Sequence, residues 1–71
     1  MAEFAIEGDV IRCLEGDRGG MAPGRLVRGG EGVVIEDGPS IEGLGLAGDT
    51  APTREALVER MTEAGHVVHA R

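Results

Sequence analysis

The chain has no tryptophan, no tyrosine and a single phenylalanine, Phe4. Aromatic side chains supply the largest burial per residue, so their scarcity excludes an aromatic-rich core. It has one cysteine, Cys13, which excludes an internal disulfide and fits a reducing compartment. Lysine, asparagine and glutamine are absent, and all seven basic residues are arginine. No apolar run approaches the roughly 18 residues of a membrane span. The opening Ala-Glu-Phe-Ala-Ile-Glu has neither the basic nor the apolar region of a secretion signal. A cytoplasmic location with no membrane contact is expected.

What is present is small and glycine-rich. Seventy-one residues, thirteen of them glycine, make a single small domain spanning 1–71. Such a chain buries only about 60% of the surface that its unfolded form exposes. Sixteen valine, isoleucine and leucine residues and three methionines are what it has to build a core. Small domains compensate with disulfides, a metal or association, and no disulfide is possible here. Self-association into a homo-oligomer, or docking into a larger protein assembly, is therefore the leading expectation.

The net charge of −6 is unevenly spread. Residues 1–17 carry five acids against Arg12, and residues 29–71 carry eight acids against three arginines. Between them Arg18, Arg25 and Arg28 stand with no acid. The acidic balance disfavours nucleic acid, because it repels phosphate backbones. The basic segment suits an acidic partner, including another copy of the same chain.

Glu3 to Leu14 reads as a β-hairpin about Gly8-Asp9, a pair suited to a type II′ turn. That register opposes Ile6 to Ile11 and Phe4 to Cys13 on one apolar face. It leaves Arg12 on the other face, diagonal to Glu3 and Glu7. Arg25 to Glu36 reads as a second hairpin around Gly30-Glu31, pairing Leu26 with Ile35, Val27 with Val34 and Arg25 with Glu36. Aliphatic residues on both faces of this hairpin predict cover on both sides, by the helix or by a second subunit. Residues 36–40 have turn composition, and Ile41 to Leu46 reads as a short, glycine-weakened strand.

From Thr53 the apolar period becomes helical, with Leu57, Met61 and Ala64 recurring and Val58 beside them. Thr50 or Thr53 supplies the N-cap, and Gly65 stands where a terminating glycine belongs. Residues 66–70 read as a final strand. The predicted fold is α+β: a small sheet of two β-hairpins plus short strands, with one C-terminal amphipathic helix followed by a last strand.

Gly43, Gly45 and Gly48 spell G-x-G-x-x-G. From Ile41 onward, about thirty residues resemble the first βαβ unit of NAD- and FAD-binding Rossmann proteins. In that family the glycines hold a dinucleotide pyrophosphate at a helix N-terminus. The resemblance implies the same role for Gly43, Gly45 and Gly48. The chain departs from the pattern in three ways. Asp49-Thr50-Ala51-Pro52 intervene before the helix, His69 and Arg71 stand where the ribose-binding acid belongs, and hairpins precede the unit. The segment is accordingly read as a turn, with no cofactor expected.

Three other constellations carry chemistry. His66 and His69 are candidate metal ligands, but a strand sends residues three apart to opposite faces, so no metal site is expected. Cys13 with a histidine would be a nucleophile and base, yet it falls on the apolar face, where it packs as a small hydrophobe. Glu55, Glu59 and Glu63 form an acidic stripe along the helix, either solvated or complementary to Arg18, Arg25 and Arg28 of a neighbour. The sequence therefore points to a non-catalytic structural or protein-interaction module. The alternative is a small ligand-binding module for a nucleotide, phosphate or metal, using residues 43–48, the arginines or His66 and His69.

Overall fold

The computed structural model describes residues 2–14, 23–30, 32–46 and 50–71. These form β1 (Glu3–Glu7), β2 (Val10–Cys13), β3 (Gly24–Gly29), β4 (Gly32–Glu36), α1 (Arg54–Glu63) and β5 (Val67–Ala70), with a 3-10 turn at Glu42–Leu44. The strands make one mixed five-stranded sheet in the order β4-β3-β2-β1-β5. The β1–β2, β2–β3 and β3–β4 pairs are antiparallel, whereas β5 lies parallel to β1. The architecture is the small α+β sheet-and-helix arrangement that the sequence predicts.

Both hairpins keep the expected registers. Phe4 faces Cys13 and Ile6 faces Ile11, while Ala5 and Arg12 share the opposite face. At the turn only Gly8 takes a positive φ, 60°, as a type II′ turn requires, with Asp9 outside that region. In the second hairpin Arg25 opposes Glu36, Leu26 opposes Ile35 and Val27 opposes Val34. Alternation follows from the two-residue period of a strand, so each register fixes which side chains face the helix.

The helix begins and ends as its flanking residues dictate. Thr53, with φ −142° and ψ 168°, is the N-cap, and its hydroxyl accepts from the Ala56 N–H at 3.1 Å. At the other end Gly65 takes φ 97°, the Gly65 N–H bonds the Thr62 carbonyl, and the His66 N–H bonds the Met61 carbonyl. That pair of bonds is a Schellman motif, which satisfies the last carbonyls and turns the chain back toward the sheet. Leu57 and Met61 are fully buried against Phe4, Ile6 and Ile11. Each such side chain contributes on the order of 1.5–3 kcal/mol. Val58 packs at the margin, but Ala64 is exposed, because it is the helix C-cap rather than a continuation of the apolar face.

Residues 41–46 correct the expectation of a strand. Ile41, Leu44 and Leu46 are all buried in the core beneath the helix, a set that no period-two strand could place on one side. The Ser40 hydroxyl instead accepts from the Gly43 N–H at 2.9 Å, and Leu44 and Gly45 bond back to Ile41 and Glu42. The turn closes at Gly45, whose φ of 78° a side chain would resist. Ala51 exchanges two backbone hydrogen bonds with Val33 and so occupies the outer edge of β4.

The helix, residues 41–46 and Ala51 lie on one face of the sheet. No described helix or strand lies on the other face. Leu26 and Ile35 pack on the core, while Val27 and Val34 lie half-buried on the open face.

Candidate interaction surface

The open face carries Glu3, Ala5 and Glu7 from β1, Val10 and Arg12 from β2, and Val27 and Val34 from β3 and β4. β5 adds Val67 and His69. The Leu14 N–H bonds the Glu3 carbonyl at 2.8 Å, and Glu3 is in register with Val67, so Leu14, Glu3 and Val67 form one row across three strands. Leu14 is 49% and Val67 43% exposed, and these are the exposed large apolar side chains among the described residues. Beside them the His69 imidazole contacts the Glu3 carboxylate through Nε2 and Oε2. The row is therefore an apolar pair separated by one anionic group that has a basic neighbour.

The arginines do not assemble into one patch. Arg25 lies on the open face, where its guanidinium sits 3.6 Å from the Glu36 carboxylate. Both groups are at least half exposed, so the pair contributes well under about 1 kcal/mol. Arg28 is three residues along the same strand, so alternation sends it to the opposite side. Arg18 lies outside the described residues. Glu55, Glu59 and Glu63 are all exposed on α1, as the helical spacing predicts.

The histidines are also separated. His69 is on the open face, whereas the Schellman turn directs His66 inward, beside the core. Its Nε2 lies 2.8 Å from the Leu44 carbonyl, and its ring stands edge-on to Phe4 with centroids 5.3 Å apart. A carbonyl accepts only, so Nε2 carries the proton. Nδ1 is buried with no hydrogen-bond partner. His66 thus ties the 3-10 turn to the sheet. Among the described residues no group of three histidine, cysteine or carboxylate side chains is placed to hold a metal ion. Cys13 packs half-buried against the core on the Phe4 face.

Of the glycine segment, Gly43 lies inside the 3-10 turn and Gly45 ends it, while Gly48 is outside the described residues. The helix starts nine residues after Gly45, behind Thr53, so neither described glycine approaches its N-terminus. The βαβ arrangement implied by the Rossmann resemblance is absent here, because the segment before the glycines is a turn and not a strand. Gly45 and Leu46 do line an open cleft of about 340 Å³ with Arg60, Glu63 and Ala64. Arg60 is held there by donating to the Thr50 carbonyl at 2.9 Å. The cleft offers one cation beside one carboxylate, which largely offset each other.

Two features escape sequence reasoning. Arg54 donates to the carbonyls of Gly8, Ile6 and Arg71, clamping the helix start to the first turn and to the end of β5. The outer edge of β5 has no strand beside it among the described residues. Neither leaves a local signal, because both depend on which strand β5 joins. No described helix is long and apolar enough to cross a membrane. Comparison with protein-family models, curated proteins and solved structures finds no match.

Proposed function

We propose that the chain is a non-catalytic interaction module that self-associates or docks into a larger protein assembly. The observation that carries this reading is that, among the described residues, helix and core lie on one side of the sheet. Leu14 and Val67 stand exposed in one row on the face opposite the helix. A thin core adds to the argument, since among the described residues its largest fully buried side chains are Phe4, Ile6, Ile11, Leu57 and Met61. Burying the open row against another chain would add apolar area to a domain that has little.

The test is molar mass by light scattering over a hundredfold concentration range, with a thermal melt at each point. A mass above 7.4 kDa with a melting temperature that rises with concentration supports self-association. A monomer that melts without cooperativity supports completion by another chain. A monomer with one cooperative melt that is independent of concentration overturns the reading. In that event the ligand-binding alternative rests on the cleft that joins Gly45 to Arg60, and stabilisation by millimolar inorganic phosphate is its check.

A further inference from the structure

We propose that the outer edge of β5 pairs antiparallel with β5 of a second copy of this chain, about a two-fold axis at His69. The inference rests on the interaction-module reading and names the partner. In a parallel strand, alternate residues turn both backbone groups to the same side. The N–H groups of Val67 and Arg71 bond the Ala2 and Ile6 carbonyls, each at 2.9 Å, so residues 67, 69 and 71 are committed to β1. Val68 and Ala70 direct their N–H and C=O groups outward, where no described strand lies. The opposite edge of the sheet differs, because Ala51 already bonds Val33 of β4. Edge strands are ordinarily blunted by lysine, proline or a bulge. β5, of sequence Val-Val-His-Ala, has neither a lysine nor a proline.

Backbone chemistry selects the register. With the axis at His69, Val68 opposes Ala70 of the second copy, and the two symmetric pairs make four N–H···O bonds. Every outward group of Val68 and Ala70 is then used. Moving the axis to Val68 opposes Ala70 to His66, whose N–H is already bonded to the Met61 carbonyl. Moving it to Ala70 leaves Val68 opposite no residue of β5.

Charge then fits the same register. Val67 comes to oppose Arg71 of the second copy, so the row Leu14–Glu3–Val67 continues into that arginine. Two strand spacings put its Cα about 10 Å from that of Glu3, within the combined reach of the two side chains. The guanidinium crosses Val67, whose 43% exposure it reduces, and reaches a carboxylate with a second oxygen available beside the His69 contact. Each contact occurs twice by symmetry. Four-residue strands give an interface at the small, weak end of the known range, so the dimer forms at high concentration.

The experiment uses the full chain in two measurements. Sedimentation equilibrium up to millimolar protein compares the native chain with Ala70→Pro, which removes an N–H that the monomer does not use. Loss of two backbone bonds per dimer weakens association roughly thirtyfold, while the monomer still melts cooperatively. In a Cys13→Ala background, His69→Cys and Val67→Cys are then oxidised separately. The two introduced thiols at the axis have Cα atoms about 4.5 Å apart, inside disulfide range. Those at position 67 are about 14 Å apart. Rapid covalent dimerisation of His69→Cys with little from Val67→Cys confirms the register even where the proline variant fails to fold. Equal cross-linking of both, or a native dimer that a folded Ala70→Pro variant retains, overturns the edge proposal and leaves self-association standing. A native chain that stays monomeric at millimolar concentration overturns both.

Discussion

Gly32→Ala is the sharpest test of how the two halves of the chain are joined. Gly32 starts β4 with φ +143°, and an added Cβ would lie 2.1 Å from the Ala51 carbonyl oxygen. It would also come within 3.1 Å of the Pro52 Cα, so every crowded atom is backbone and none can rotate away. The variant must give up the Val33–Ala51 exchange, whose bonds are 2.7 and 3.2 Å long. Two backbone hydrogen bonds at about 1 kcal/mol each, plus about 1–2 kcal/mol for the backbone conformation, give a loss of roughly 3–4 kcal/mol. A domain of this size has only about 4–11 kcal/mol in total, so at least roughly a third of its stability goes. Gly30→Ala is the control, since no atom lies within 4 Å of its added Cβ and its φ is not in the left-handed region. It should be neutral, or more stable by up to about 1 kcal/mol. Urea titration followed by far-ultraviolet circular dichroism, at one protein concentration, measures both. If the two variants fall within about 0.5 kcal/mol of each other, the argument that Ala51 anchors the helix approach to β4 is refuted.

Three further outcomes follow from single side chains. Phe4→Ala removes the one aromatic residue, fully buried beneath the helix and against His66, and should cost about 3–5 kcal/mol, leaving much of the chain unfolded in a thermal melt. Thr53→Ala removes the hydroxyl that accepts from Ala56, and a loss of about 1 kcal/mol in urea titration is expected. A Thr53→Asp variant should retain that stability, because its carboxylate replaces the acceptor at the positive end of the helix. Arg54→Met keeps the aliphatic stem but loses the donors to Gly8, Ile6 and Arg71, so amide exchange at Arg71, whose N–H bonds the Ile6 carbonyl, should accelerate at least tenfold. Unchanged exchange there would show that β1 holds the end of β5 without the clamp.

The hairpins were legible because their information is local. Gly8-Asp9 fixes a turn, the turn fixes the register, and the period of two then sends Phe4, Ile6, Ile11 and Cys13 to one face. The helix was legible for the same reason, with Thr53 before it, Gly65 after it and Leu57 and Met61 one turn apart. The misread segment also held its own signal. Ile41 and Leu44 are three apart, a 3-10 spacing that a strand cannot bury on one side, and Ser40 is placed to cap it. Ala64 was misassigned because it matches the apolar period while standing at the helix end, where the chain has already begun to turn away. Of the candidate site, the exposed Glu55, Glu59 and Glu63 stripe and the separation of His66 from His69 could be read in advance. The row of Leu14, Glu3 and Val67 could not.

The sequence by itself determined the elements: two hairpins in register, one capped helix, a final strand and a core too small to be generous. Tertiary structure decided what those elements do to one another. It placed β5 parallel to β1, seated Ala51 against Val33, brought His66 to the Leu44 carbonyl and left the far edge of β5 with no strand beside it among the described residues. The physical reason is range. Turn type, capping and periodicity act over a few residues, whereas the pairing of Glu3 with Val67 closes a loop of more than sixty residues. That closure is favoured only by the sum of burial and hydrogen bonding over the assembled sheet.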